Sequence, residues 1–136
     1  MSQPVSLIRS ADLSDTAEYA YAATAPVGAR LVFLAGACPL NLDGTTAGVG
    51  DYAAQATKSM ENLLIALRAA GAELTNVINT RILVVSSRQT DLVEAWTVIR
   101  KAFGDHDAPS TLMGVSALGY TDQLVEIEAV AAVIDK

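Results

Sequence analysis

The chain is 136 residues long, the size of one domain, so a single core spanning residues 1–136 is expected. Half the residues are hydrophobic but only 5% are aromatic, which suits tight helix-on-sheet packing by Ala, Val and Leu rather than an aromatic ligand cage. Nine Lys and Arg stand against fifteen Asp and Glu, a net charge of -6 without a basic run, which argues against nucleic acid as a partner.

Val5–Arg9 is short and β-leaning. Tyr19–Thr24 sets its tyrosines two apart, on one face if extended, and Pro26 with Gly28 marks a turn. Arg30–Leu34 is a compact apolar run that reads as a buried strand, and the three segments together suggest an antiparallel meander or hairpin. Pro39–Asp51 lacks periodicity and carries a tight turn at Asp43-Gly44. From Tyr52, the residues Ala53, Ala56, Met60, Leu63, Leu67 and Ala70 recur in steps of three and four, the pattern of an amphipathic helix. Asp51 is placed to cap that helix and Gly71 to stop it.

Asn76–Ser86 is β-branched and apolar, hence a strand. Thr90 opens a second helix with Leu92, Trp96, Ile99 and Phe103 on one stripe, closed by Gly104. Ser110–Ala117 and Leu124–Ile134 are two further strands joined around Gly119. The order β-β-β-α-β-α-β-β, with hairpins at both ends, predicts an α+β fold: an antiparallel or mixed sheet with two helices on one face.

In the last strand Val125, Ile127, Ala129, Ala131 and Val133 share the face that packs under the helices. The other face carries Leu124, Glu126, Glu128, Val130 and Ala132, half apolar and unsuited to open solvent. A homo-oligomer that buries this face is expected. Glu126 and Glu128 stand side by side there; neighbouring carboxylates perturb each other, and one can hold a water or act as a base. Such pairs are more often surface features than sites, and the apolar surroundings raise the odds of function only somewhat.

Cys38, at a strand end before Pro39, is the only cysteine, which rules out an internal disulfide. It reads more readily as a small half-buried hydrophobe than as a nucleophile, and His106 as a loop cap rather than a proton shuttle. A Ser110/His106/Glu triad lacks the nucleophile-elbow pattern and is set aside. One His and one Cys give no metal set, and the glycines around Gly44 and Gly48–Gly50 match no phosphate or dinucleotide motif, so no cofactor is expected. Met1–Ser10 lacks a signal-peptide pattern and no apolar run nears the about 20 residues that cross a bilayer. The expectation is a cytoplasmic protein without a membrane partner.

Several segments, in this order, resemble one family: Leu31–Gly36 with Pro39, Gly50-Asp51 opening a helix, Met60-Glu-Asn-Leu63, Ala69–Ala72, Asn76–Thr80, Phe103-Gly-Asp-His106 and Leu124–Ala129. The ordered set closely resembles the Rid family, the reactive intermediate deaminases also called YjgF-like proteins, over nearly the whole chain. The resemblance implies a chorismate-mutase-like fold and a homotrimer with a small-molecule cleft at each subunit interface. It also implies hydrolysis of 2-imino and 2-enamino acids to 2-oxo acids and ammonia. In such members an arginine grips the substrate carboxylate, a bidentate match, while a glutamate positions water.

Carried over by residue, that glutamate falls on Glu126, as the candidate catalytic residue. The arginine falls on Ser110 within Ala108–Thr111, a segment without arginine. The serine and glutamine of the family's Ser-Gly-Gln stretch fall on Ala35 and Ala37, flanking Gly36, and the early tyrosine on Tyr21 or Tyr19 without the usual Gly-Pro before it. Loss of a buried bidentate partner removes about 2–5 kcal/mol of carboxylate binding. The usual 2-imino acids therefore fit poorly, and Arg81 is weighed as a substitute against its reading as an ion-paired arginine. A small molecule with another head group, bound near Glu126, Ser110, Thr111, Tyr21, Ala35, Gly36 and Cys38, is the expected ligand, in an enzyme acting on C=N bonds or in a non-catalytic metabolite sensor. A ribonuclease or translation inhibitor is disfavoured by the acidic balance. Gel filtration with light scattering at micromolar concentration should return an oligomer; a monomer would overturn the sheet-face argument.

Overall fold

The computed structural model describes residues 4–135; the first three residues of the Met1–Ser10 segment lie outside them. Its strands are β1 (Ser6–Ile8), β2 (Ala22–Thr24), β3 (Arg30–Phe33), β4 (Val77–Val85), β5 (Ser110–Val115) and β6 (Val125–Val133), with helices α1 (Tyr52–Ala69) and α2 (Gln89–Phe103). A single 3-10 turn, Leu74–Asn76, leads into β4. β1 and β2 form an antiparallel pair of their own, so the early hairpin exists but β3 does not extend it.

The main sheet runs β3-β6-β4-β5, with β6 antiparallel to both neighbours and β4 parallel to β5. β3 and β4 therefore run parallel, separated by β6. Parallel strands need long crossovers, which α1 supplies between β3 and β4 and α2 between β4 and β5. Both crossovers step the same way along the sheet, so a common hand lays both helices on one face. The expected C-terminal hairpin is corrected: β5 and β6 do not pair. The slot left between β3 and β4 accepts β6 with hydrogen bonds on both edges, whereas pairing beside β5 would satisfy one edge only.

Asp51 caps α1 by accepting from the Ala54 amide at 3.0 Å, and Gly71 follows the helix with a φ of 77°. The buried stripe of α1 holds Ala56, Met60, Leu63 and Leu67, together with Gln55 and Ser59, two polar residues that apolar periodicity alone passed over. Ala95, Trp96, Ile99 and Phe103 form the stripe of α2. Beneath them lie Val77, Ile82 and Val84 of β4 and Val125, Ile127, Ala129, Ala131 and Val133 of β6, as the alternation predicted. No described helix is long and apolar enough to cross a membrane.

Two amides on α1, seven residues apart and so on one side of the helix, tie the fold to its loops. Gln55 is fully buried: its Nε2 donates to the carbonyls of Gly48 (3.2 Å) and Asp122 (2.9 Å), and its Oε1 accepts from the Leu124 amide (2.7 Å). Asn62 Nδ2 donates to the carbonyls of Cys38 (2.8 Å) and Leu40 (3.0 Å). The first holds the entry to β6 and the second the exit from β3. Replacing Gln55 by Leu strands three backbone groups in the interior and should cost roughly 3 kcal/mol. Urea unfolding with an unchanged slope and a lowered midpoint checks it; an unshifted midpoint would show the amide to be dispensable.

Candidate functional site

β6 alternates between buried and half-buried residues from Val125 to Val130, so Glu126 and Glu128 both point to the face opposite the helices. Their neighbours differ. Glu128 pairs across the ladder with Arg81, whose Nε lies 3.5 Å from Glu128 Oε1, with both side chains about half exposed. Glu126 faces Leu83 of β4, with Met113 of β5 beyond it. Glu128 is thus neutralised by an exposed ion pair of small energetic weight, while Glu126 has apolar flanks on that side.

On its other side Glu126 meets the end of β3. Phe33 pairs with Val130 and Ala37 bridges Ile127, so four steps of one chain oppose three of the other, a bulge. The extra residue brings Gly36 against the carboxylate: a Cβ built there would lie 2.3 Å from Glu126 Oε2. Only a residue without a side chain fits beside Glu126 in this pose. Cys38 donates its S–H to Glu126 Oε1 at 3.3 Å, and Gln123 Nε2 donates to the same oxygen at 3.2 Å. Burial, and then the hydrogen bond to Glu126 and its charge, push the Cys38 thiol up to about 11. Cys38 is consequently a protonated donor at neutral pH, not a nucleophile.

Of the residues singled out by sequence, Glu126, Gly36 and Cys38 converge, with Ala35 exposed beside them. The others do not join them within one chain. Ser110 lies on the helix-facing side, 2.6 Å from the Thr80 hydroxyl and donating to the Ala108 carbonyl at 2.9 Å. There it lines, with Trp96, Phe103 and Asp107, a small cavity with room for one water at most. Thr111 shares the open face but stands beside Arg81. Tyr21 adjoins the β1–β2 pair, donates to the Ser14 carbonyl and meets Tyr19 edge-on at 6.1 Å. His106 is buried with Nε2 2.7 Å from the Val77 carbonyl, the loop-fixing role expected of it. No Ser110–His106 bond is seen among the described residues. Nor does a group of three His, Cys, Asp or Glu converge there as metal ligands.

Gln123 and Asn62 escaped the sequence reading. In the sequence Met60-Glu-Asn-Leu63 shows only its order in the chain, not an amide that holds Cys38, and Gln123 carries no signal beyond being an uncharged polar residue three before Glu126. Replacing Glu126 by Gln removes the charge beside Cys38, so the thiol should titrate below its wild-type value of about 11. The rate of Cys38 alkylation against pH measures it, because Cys38 is the sole cysteine; an unmoved midpoint would separate the two groups.

A family model described as endoribonuclease L-PSP matches residues 11–133. Among solved structures, a conserved Rid-family protein of unknown function, YyfB from Yersinia pestis, matches with a TM-score of 0.88 at 27% identity, over 96% of this chain and 99% of that one. Rv2704 from Mycobacterium tuberculosis, a member of the YjgF/YER057c/UK114 family, matches with a TM-score of 0.64 at 30% identity, over 95% and 99%. The YjgF gene product of E. coli matches with 0.64 at 26% identity, over 83% and 86%. No curated protein sequence matches significantly. The α+β fold, the order of its elements and the span of the family match agree, and the chain belongs to the endoribonuclease L-PSP family, the YjgF/Rid family.

Proposed function

We propose that the chain assembles as a homotrimer in the cytoplasm and that clefts between subunits, built around Glu126, add water to the C=N or enamine group of a small metabolite. The observation that carries this reading is the seat of Glu126: one oxygen engaged by two donors, the other laid against a bare glycine on an open sheet face. The same face exposes Leu31 (50%) and Phe33 (75%), apolar area that another subunit would cover.

In the reaction, Glu126 Oε2 takes a proton from water as the oxygen bonds to the imine carbon. Glu126 returns that proton to the imine nitrogen to give the carbinolamine, and the carbinolamine's hydroxyl proton then passes to the nitrogen as the C–N bond breaks, so imine and water give carbonyl and ammonia. No arginine lies in Ala108–Thr111, and Arg81 is engaged with Glu128. Substrates that depend on a carboxylate grip are therefore poor candidates, and an imine with another head group is favoured.

Iminopropionate or iminobutyrate generated in situ should release ammonia no faster than the background, while a panel of imines lacking the carboxylate should contain a substrate. On that substrate Glu126→Gln should lower turnover on the order of 10²–10⁴-fold. Full activity in the variant would remove Glu126 from the reaction. The engaged state of Arg81 also favours a second reading, a metabolite sensor; stabilisation by a ligand in a thermal-shift screen without turnover would select it. Ribonuclease action, named in the family description, is opposed by the net charge of -6 and by the pairing of Arg9, Arg30, Arg81 and Arg100 with carboxylates.

A further inference from the structure

We infer that Gln123 is the positioning residue of this site: its buried amide, with the Cys38 thiol, fixes one oxygen of Glu126 and leaves the other to meet the ligand. The inference rests on the reading of Glu126 as the working carboxylate.

Gln123 sits in the turn that precedes β6, yet it is only 4% exposed. A long polar side chain buried in a surface turn must be satisfied locally, and this one is. Its Oε1 accepts from the Tyr120 amide at 3.1 Å, while Nε2 donates to the Val125 carbonyl at 3.1 Å and to Glu126 Oε1 at 3.2 Å. The backbone amide at one end and the backbone carbonyl at the other fix which way the side chain faces, since a flip would set two donors together and two acceptors together. The N–H aimed at Glu126 is therefore a fixed donor, not a rotor.

Glu126 needs such a donor. Its side chain has several rotatable bonds, and its cross-strand neighbour Leu83 offers no polar contact. The Cys38 S–H is a weak donor and would not hold a carboxylate alone. Gln55 makes the turn itself rigid by binding the Asp122 carbonyl and the Leu124 amide on either side of Gln123. A chain of contacts thus runs from α1 through the turn to the carboxylate. A preset acceptor reduces reorganisation when water is activated, which is the use of such a seat.

Cys38 reports on the seat without any substrate. Its thiol is raised by Glu126, whereas Gln123 by itself lowers it. In Gln123→Met, which keeps the length and loses both donors, a carboxylate that swings away should bring the thiol down from about 11, although burial, the larger cause of its rise, remains. If the carboxylate stays without Gln123, the thiol should hold or rise, and the inference fails. Gly36→Ala, which displaces Oε2 directly, provides the reference for a displaced carboxylate. Should Gln123→Met not fold, Gln123→Asn keeps an amide on a shorter arm and is expected to show the same fall. On an imine substrate, Gln123→Met should lower kcat on the order of 10²-fold with KM little changed. Glu126-dependent turnover at the wild-type rate in a variant whose thiol has shifted would also overturn the inference. If the wild-type chain turns over no imine, the catalytic reading of Glu126 falls, while the thiol titration still decides whether Gln123 seats the carboxylate.

Discussion

β6 occupies a slot between two parallel strands, and the placement of everything else follows from that. β3 and β4 run the same way because each feeds a helical crossover, and the antiparallel β6 between them completes hydrogen bonds on two edges at once. A strand in that position cannot slip by one residue without turning Ile127 and its fellows out of the core and the glutamates into it. Burying charge in that way is far costlier than losing a ladder bond. The register that places Glu126 on the open face is thus enforced by the core on the opposite face.

Register alone would leave Glu126 a surface residue. The bulge at the end of β3 changes that by bringing Gly36 and Cys38 over it, and α1 maintains the bulge from behind through Asn62. The same helix fixes the turn on the other side through Gln55. One rigid element therefore controls both borders of the carboxylate. Sites mounted on helices and strands in this way hold their geometry more closely than sites made of loops alone.

The sequence was legible where periodicity speaks. Both helices, with the Asp51 cap and the Gly104 stop, and the inward face of β6 lie where spacing put them. Strand partnership was not legible, because alternation says which face a residue takes but not which strand lies beside it. The supposed β5–β6 hairpin failed on that ground. Glu126 and Gly36 were reachable through the family pattern and Cys38 through its place at a strand end, yet Gln123 was not: a glutamine's role depends on what its amide meets, and that is a tertiary fact. Ser110 shows the converse, a position marked by the pattern whose hydroxyl turns to Thr80 on the other side of the sheet.

Two glutamates two residues apart look equivalent in a sequence, and their cross-strand neighbours make them different. Arg81 gives Glu128 an opposite charge in solvent, a pairing that contributes little to stability. Leu83 gives Glu126 nothing, so its carboxylate must be held by neutral donors, an amide and a thiol. Neutral donors hold a carboxylate in place without cancelling its charge. Charge retained at a fixed point on an apolar face is what activation of water requires, and it also repels a ligand carrying its own carboxylate. Under the proposed reading, the same arrangement turns the face around Glu126 away from acidic ligands unless a cation stands beside it.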